Sequence, residues 1–327
     1  MTKKIILSSF FICAIGAGLG VGYLTIALSK VTYAYVSEYI SEIRTDLVFE
    51  GEPIGKGGPY SQVIESEFNN ETISEYTKSF YINPKAQIAR VSSLSYLIAD
   101  IETGKVFASQ NINQQLPIAS LTKLMVAIVA DETLGLETQT TVTQQAIDTY
   151  GTQGNLRRGE QYTIGELLYP LLLESSNDAG EAIALSKNRD EFMKAMNTKA
   201  QTLGLRDTAF DDASGLSVQN VSTVTDLFRL SQYIYKYRNY VFDITTLQTH
   251  NLRNKKWYNN SRFRSDRKYI GGKNGYIDEA RRTHVVLFEE KISDEKRPVL
   301  YIILRSDDVA YDIRMLRDFV YKNVEYR

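Results

Sequence analysis

The sequence predicts an α+β domain in which an antiparallel sheet joins strands from both ends of the globular part. Apolar runs at both ends of that part, with a turn in the first pair, predict the sheet, and helical periodicity between them predicts the helices. Leu94 to Ile101 and Lys105 to Ser109 flank Glu102-Thr103-Gly104, the pattern of a hairpin. Leu121, Leu124, Met125, Ile128 and Val129 recur at spacings of three and four, as do Ile164, Leu167, Leu168, Leu171 and Leu172, so both segments read as core-facing helices. Further helical patterns cover 178–203 and 223–237. Thr283 to Glu289 and Pro298 to Arg305 read as strands, and 307–323 as a closing helix. No internal repeat or low-complexity tract interrupts this order.

Composition narrows the function. The 327 residues are 43% hydrophobic and 24% charged, close to soluble globular averages, which excludes wholesale disorder and a polytopic membrane protein. Lys plus Arg is 38 and Asp plus Glu 39, so a net charge of −1 provides no global pull toward nucleic acid, and no nucleic-acid partner is expected. One cysteine, Cys13, excludes an internal disulfide. Two histidines, His250 and His284, leave little material for a zinc site, so hydrolytic chemistry here is expected to need neither metal nor cofactor.

Ile5 to Ser29 carries no charged residue, a run of 25 that at 1.5 Å per residue exceeds the ~30 Å of a bilayer's hydrocarbon core. The run is longer than a signal peptide's apolar stretch, so residues 1–30 read as an uncleaved transmembrane anchor, with cleavage after Ala27-Leu28-Ser29 the alternative. Lys3, Lys4 and the terminal amine precede the span, and this weak positive-inside bias puts the bulk of the chain outside the cytoplasm. Gly16, Gly18, Gly20 and Gly22 include G-x-x-x-G spacings that permit close helix approach in lipid, although membrane helices are glycine-rich in general. Residues 31–90 combine an amphipathic stretch (Tyr39, Ile40, Ile43, Leu47) with the breaker-rich Gly51 to Pro59, and read as an extracytoplasmic spacer. The remaining 91–327 are the expected catalytic domain.

The chemistry concentrates in three short motifs. Pro117-Ile118-Ala119-Ser120-Leu121-Thr122-Lys123 sets a serine where an apolar helix begins and a lysine three residues later on the same face. A serine hydroxyl needs a base within hydrogen-bond reach, and a lysine serves if burial or a neighbouring cation keeps it neutral. The helix N-terminus adds N–H groups where an oxyanion would develop. Leu173-Glu174-Ser175-Ser176-Asn177-Asp178-Ala179 follows the second apolar helix, and Ser175 and Asn177 can relay protons and orient an amide; a helix stop and cap would look the same. Gly271-Gly272-Lys273-Asn274-Gly275-Tyr276 precedes a predicted strand, with glycines that let a backbone approach a ligand; in isolation it reads as a turn.

In order, S-x-x-K, S-x-N and K-[ST]-G are the elements of penicillin-binding proteins and class A β-lactamases. From about Ser93 to Arg305 the chain resembles the serine D-alanyl-D-alanine carboxypeptidases, the low-molecular-mass penicillin-binding proteins. Arg158-Gly159-Glu160, Leu167-Leu168 and the block Ser214-Gly215-Leu216, Asn220, Ser222-Thr223, Asp226 match further family patterns, the last read as turn and helix-cap chemistry. The resemblance implies a β-lactamase-like α/β sandwich with a helical subdomain. It implies that Ser120 attacks the penultimate D-alanine carbonyl of a peptidoglycan stem peptide, with Lys123 as base. Ser175 then relays a proton to the leaving nitrogen, and Asn177 holds the peptide and Lys123. Lys273 supplies positive potential for the terminal carboxylate, flanked by Asn274 and Gly275 as further substrate contacts. The N–H groups of Ser120 and Tyr276 form the oxyanion hole, and β-lactams acylate the same serine.

Two departures stand out. Asn274 replaces the usual Thr or Ser, and Ile277 with Ala280-Arg281-Arg282 replaces a threonine and an alanine-glycine pair. Basic residues ahead of an edge strand read as solvated, or as assisting carboxylate binding. Fast β-lactam hydrolysis is not expected. It needs a glutamate in an E-x-x-L-N loop, and between Asp178 and Gly272 only Glu181 and Glu191 occur, neither followed by Asn four residues on. A DD-endopeptidase on crosslinks and an inactive muropeptide-binding module are the alternatives; retention of both Ser120 and Lys123 argues against the latter.

Overall fold

The computed structural model describes residues 79–151 and 153–327. The expected anchor, Cys13 and most of the spacer lie outside these residues. Five antiparallel strands form the main sheet in the order β10 (Tyr269–Ile277), β11 (Arg281–Ile292), β12 (Glu295–Ser306), β2 (Ser95–Asp100) and β3 (Val106–Gln110). The two ends of the domain meet as expected, with β2 antiparallel to β12 and Ile98 opposite Tyr301. The β2–β3 turn closes because Asp100 Oδ1 accepts from the Thr103 N–H (2.7 Å) and hydroxyl (2.8 Å), and Gly104 supplies φ +77°.

Both sheet faces are covered. Alternate residues of β12 divide between two cores: Leu300, Ile302 and Leu304 face the larger helical layer, while Val299, Tyr301 and Ile303 face the C-terminal helix. The larger layer holds α1 (Thr122–Thr133), α2 (Gln144–Ile147), α3 (Ile164–Tyr169), α4 (Asn177–Ala184), α5 (Arg189–Thr202), α6 (Val224–Tyr237) and α7 (Tyr240–Thr246). The other face carries α8 (Val309–Asn323), which buries Val309, Ile313, Leu316 and Val320. Helix α1 is buried on every side from Thr122 to Ala130, which is why its sequence is apolar beyond a single stripe. Short antiparallel pairs trim the body: β1 (Phe80–Ile82) with β13 (Val324–Tyr326), β4 (Leu116–Pro117) with β7 (Val221–Ser222), β5 (Gln139–Thr141) with β6 (Gln161–Thr163), and β8 (Thr249–Leu252) with β9 (Lys255–Tyr258).

Four expectations shift. The packed body starts before residue 91, because β1 pairs with β13 and Phe80, Ile82, Ala86 and Ile88 pack on the core under α8. The stretch 178–203 is two helices, α4 and α5, since Asn188 accepts from the N–H groups of Asp190 and Glu191 and starts a new helix. Gly271 to Tyr276, which in isolation reads as a turn, lies within the edge strand β10, directly ahead of the predicted strand β11; glycine, lysine and asparagine hide the alternation that marks a strand. Arg281 and Arg282 consequently open the internal strand β11, although both side chains are solvent-exposed as expected. Among the described residues, no helix is long and apolar enough to cross a membrane.

Candidate active site

Ser120 sits in a 3-10 turn, Ala119–Leu121, that feeds directly into α1. Ala119 adopts φ +50°, a left-handed conformation costing roughly 1–2 kcal/mol for a residue with a Cβ. The surroundings impose it. The Thr122 hydroxyl donates to Ala119 O (2.8 Å), and the buried Thr283 hydroxyl of β11 donates to Ile118 O (3.0 Å). Gly215, itself at φ +83°, lies so close that a Cβ there would fall 2.5 Å from Ala119 O and 2.9 Å from Ser120 Cα. The serine is therefore presented by a strained turn that its neighbours over-determine.

One helical turn on, Lys123 is fully buried. Its Nζ reaches Ser120 Oγ (3.0 Å), Asn177 Oδ1 (2.8 Å) and the Ser214 carbonyl. The Asn177 amide is oriented by its other end, where Nδ2 donates to Tyr150 O (2.7 Å). A neutral amine has two N–H groups and one lone pair; with Asn177 and Ser214 taking the donors, the lone pair faces the Ser120 hydroxyl. Burial drives the Lys123 pKa down to about 7, against the upward pull of Asp212 and Glu181. The lysine thus matches the protonation requirement of a general base at neutral pH.

The opposite wall carries Lys273. It lies on β10 with 2% exposure, and its Nζ donates to Ser175 Oγ (2.9 Å) and Asn274 O (2.7 Å). Burial, reinforced by the charge on Lys123, holds its pKa well below the usual lysine range. Ser175 follows a π-helical turn, Pro170–Glu174, and adopts φ +63°, while Ser176 caps α4 by accepting from the Ala179 N–H (3.1 Å). Both readings of this segment hold at once: Ser176 is the cap, which leaves Ser175 and Asn177 to face the two lysines.

Gly275 brings the edge strand against the serine. A Cβ there would sit 2.8 Å from Ser120 N and 2.6 Å from Thr283 Oγ1, so only glycine permits this approach. The Gly272 N–H leaves the sheet to meet Thr245 Oγ1 (2.9 Å), and the two-residue alternation of a strand points the Asn274 and Tyr276 N–H groups off the same edge. The Tyr276 N–H is therefore on the edge of β10 that Gly275 brings against Ser120. The Tyr276 ring is 53% exposed, with its hydroxyl donating to Asp278 Oδ1 (2.7 Å). Asn274 stands in register with His284 of β11. That histidine is buried with no partner on Nδ1, and burial followed by the charge of Lys273 lowers its pKa to about 3.

The site thus has two lobes, one holding Ser120, Lys123 and Asn177, the other Ser175 and Lys273, with Gly275 closing the approach. A family model for D-alanyl-D-alanine carboxypeptidases matches residues 82–303, which contain every one of these groups. The chain belongs to the D-alanyl-D-alanine carboxypeptidase family. Within it, the chain is 37% identical over 154 residues to a D-alanyl-D-alanine endopeptidase of Pseudomonas aeruginosa, covering 45% of this chain and 50% of that one. It is 32% identical over 216 residues to a D-alanyl-D-alanine carboxypeptidase of Mycobacterium tuberculosis, covering 58% and 68%. The ampicillin-bound penicillin-binding protein D2 of Listeria monocytogenes superposes with a TM-score of 0.60 at 25% identity, over 71% of this chain and 97% of that one. The chain spans about half the length of several curated relatives that it matches.

Sequence reasoning missed part of this carboxypeptidase-family site. The Ser214-Gly215 block, read as turn chemistry, supplies both a carbonyl to Lys123 and the glycine behind Ser120. Asp212 holds that turn by accepting from the N–H groups of Gly215 and Ser217. The signal was the glycine, whose positive φ a turn requires; that the turn also faces the nucleophile depends on a contact distant in sequence. Among the described residues no cluster of three or more His, Cys, Asp or Glu is set to hold a metal ion.

Proposed function

We propose that this protein is a serine DD-peptidase that removes the terminal D-alanine from peptidoglycan stem peptides. The observation that carries the reading is the Ser120–Lys123–Asn177 arrangement, in which a fully buried lysine is held 3.0 Å from the serine hydroxyl. Ser120 Oγ bonds to the penultimate D-alanine carbonyl carbon while its proton passes to Lys123 Nζ. The oxyanion meets the N–H groups of Ser120 and Tyr276. As the C–N bond breaks, the Ser175 hydroxyl passes a proton to the leaving nitrogen and is reprotonated at the expense of the Lys123 ammonium, so the proton taken from Ser120 leaves with D-alanine; water then adds to the Ser120 ester carbonyl, its proton passing by way of Lys123 to Ser120 Oγ as the ester bond breaks. A substrate carboxylate beside Lys273 draws the positive charge shared by the two lysines onto Lys273 and leaves Lys123 neutral. Asn274 and Gly275 border that subsite, and a β-lactam enters the same chemistry with its ring amide in place of the peptide.

Cleavage of crosslinks is the second reading, favoured by the endopeptidase relative at 37% identity. An inactive muropeptide binder fits less well, because binding alone gives no reason to bury a lysine against the serine. We further propose that Ile5–Ser29 anchors the chain in the cell membrane, with residues 31 to the mid-seventies as a spacer and the peptidase outside the cytoplasm; the charge-free run of 25 residues supports this. The decisive measurement is D-alanine release from a pentapeptide ending in D-Ala-D-Ala, with Ser120→Ala alongside. Release that disappears in the variant establishes the carboxypeptidase. No release, with penicillin still labelling Ser120, points to crosslinked substrates, and absence of both overturns the peptidase reading.

A further inference from the structure

Ser175 has a strained backbone and stands at the joint between the two lobes, yet its own contacts do not explain how it is held there. The residue before it does. Glu174 is half-buried, and its two carboxylate oxygens accept from two different elements: Oε2 from the Gly154 N–H (2.9 Å) and Oε1 from the Tyr258 N–H of β9 (2.9 Å). Its main chain is fastened to the same strand end, with Asn260 Nδ2 donating to Glu174 O (3.0 Å) and Asn260 N to Leu173 O (2.9 Å). Gly154 is locked in turn, because its carbonyl accepts from the buried Trp257 indole (2.7 Å) and a Cβ on it would collide with Ser176. Tyr150, near Gly154 in the chain, provides the carbonyl that orients Asn177.

We infer that Glu174 is a positioning residue that fixes Ser175 by tying the end of the π-helical turn to the Gly154 segment and to β9. It touches no reacting atom, and it acts only by setting where the Ser175 hydroxyl stands relative to the two lysines. A carboxylate suits the task because both oxygens must accept; in an isosteric amide one of them becomes a donor facing a backbone N–H. The inference rests on the serine-peptidase reading above.

The test is the rate at which a fluorescent penicillin acylates Ser120 in the full chain. Glu174→Gln is expected to lower that rate at least about tenfold, because small misplacements at a reacting centre reach about 10²-fold, with the apparent affinity for penicillin kept within about threefold. In a Ser175→Ala background, Glu174→Gln is expected to add little further loss, since the hydroxyl it positions is gone. Asn260→Ala weakens the same anchorage by another route and should lower the rate in the same direction; it carries the test if Glu174→Gln fails to fold. An unchanged rate in folded Glu174→Gln, or an equal loss in both backgrounds, overturns the inference alone. Absence of labelling in the unaltered chain overturns the peptidase reading and this inference with it.

Discussion

At the scale of single residues, the chemistry depends on Lys123 losing its proton, and burial is the cause. Removing an ammonium from water disfavours its charged form, and Asp212 and Glu181 recover only part of that loss, leaving the pKa at about 7. Below that pH the base is protonated, so acylation by a fluorescent penicillin should fall about tenfold per pH unit under about 7 and level off above it. A limb displaced toward the ordinary lysine value would show that burial does not set the base. Asn274 is the other residue whose type can be tested. It replaces the expected hydroxyl and faces His284 across the ladder, where its amide offers donors to a carboxylate on a longer arm. Asn274→Thr should keep or raise D-alanine release. Loss of all turnover would mean that the asparagine belongs to a different substrate geometry.

At the scale of elements, the site is the meeting of one helix start, one turn and one sheet edge, and they differed in how readable they were. Helix α1 and the β2–β3 hairpin were legible because apolar spacing and a Thr-Gly turn are local signals. Strand β10 was not, because the residues that make it functional, two glycines, a lysine and an asparagine, remove the apolar alternation by which strands are read. The three motifs could be found in the sequence, but the roles of Ser214, Thr283 and Glu174 could not, since they arise from contacts made across long stretches of chain. The approach of Gly275 to the serine is of the same long-range kind. Gly275→Ala would place a methyl 2.8 Å from Ser120 N and 2.6 Å from Thr283 Oγ1, forcing β10 away from the serine turn. Acylation should then fall about 10²–10³-fold, the loss that removal of one oxyanion donor produces, while circular dichroism stays unchanged. Full acylation in a folded Gly275→Ala protein would place the oxyanion hole elsewhere.

At the scale of the whole molecule, a site built on two buried lysines has a consequence for stability. Lys123 and Lys273 both have folded pKa values below their unfolded value of 10.5. Between those values the unfolded chain binds more protons, so stability rises with pH from about 7 toward about 10. The buried tyrosines act in the opposite sense at higher pH. Tyr162 and Tyr240 are raised well above the ordinary tyrosine value and Tyr235 to about 12, mainly by burial, so their contribution is intact below 10 and is lost as pH rises above it. On the acid side, His284, lowered to about 3, favours unfolding as pH falls through 6.5, whereas Asp178, raised to about 6 by burial, favours the folded state at low pH. These two oppose each other between about 4 and 6, which leaves the lysines to dominate above neutrality. The melting temperature of the segment from about residue 75 should therefore climb from pH 7 to a maximum near pH 9–10, then decline. Replacing Lys273 with methionine should flatten the climb, because a side chain of similar length without a proton removes one of its two sources. A melting temperature that peaks at neutral pH and is unaffected by Lys273→Met would mean that the lysines keep their charges in the folded protein, and the neutral-base chemistry assigned to Lys123 would fail with it.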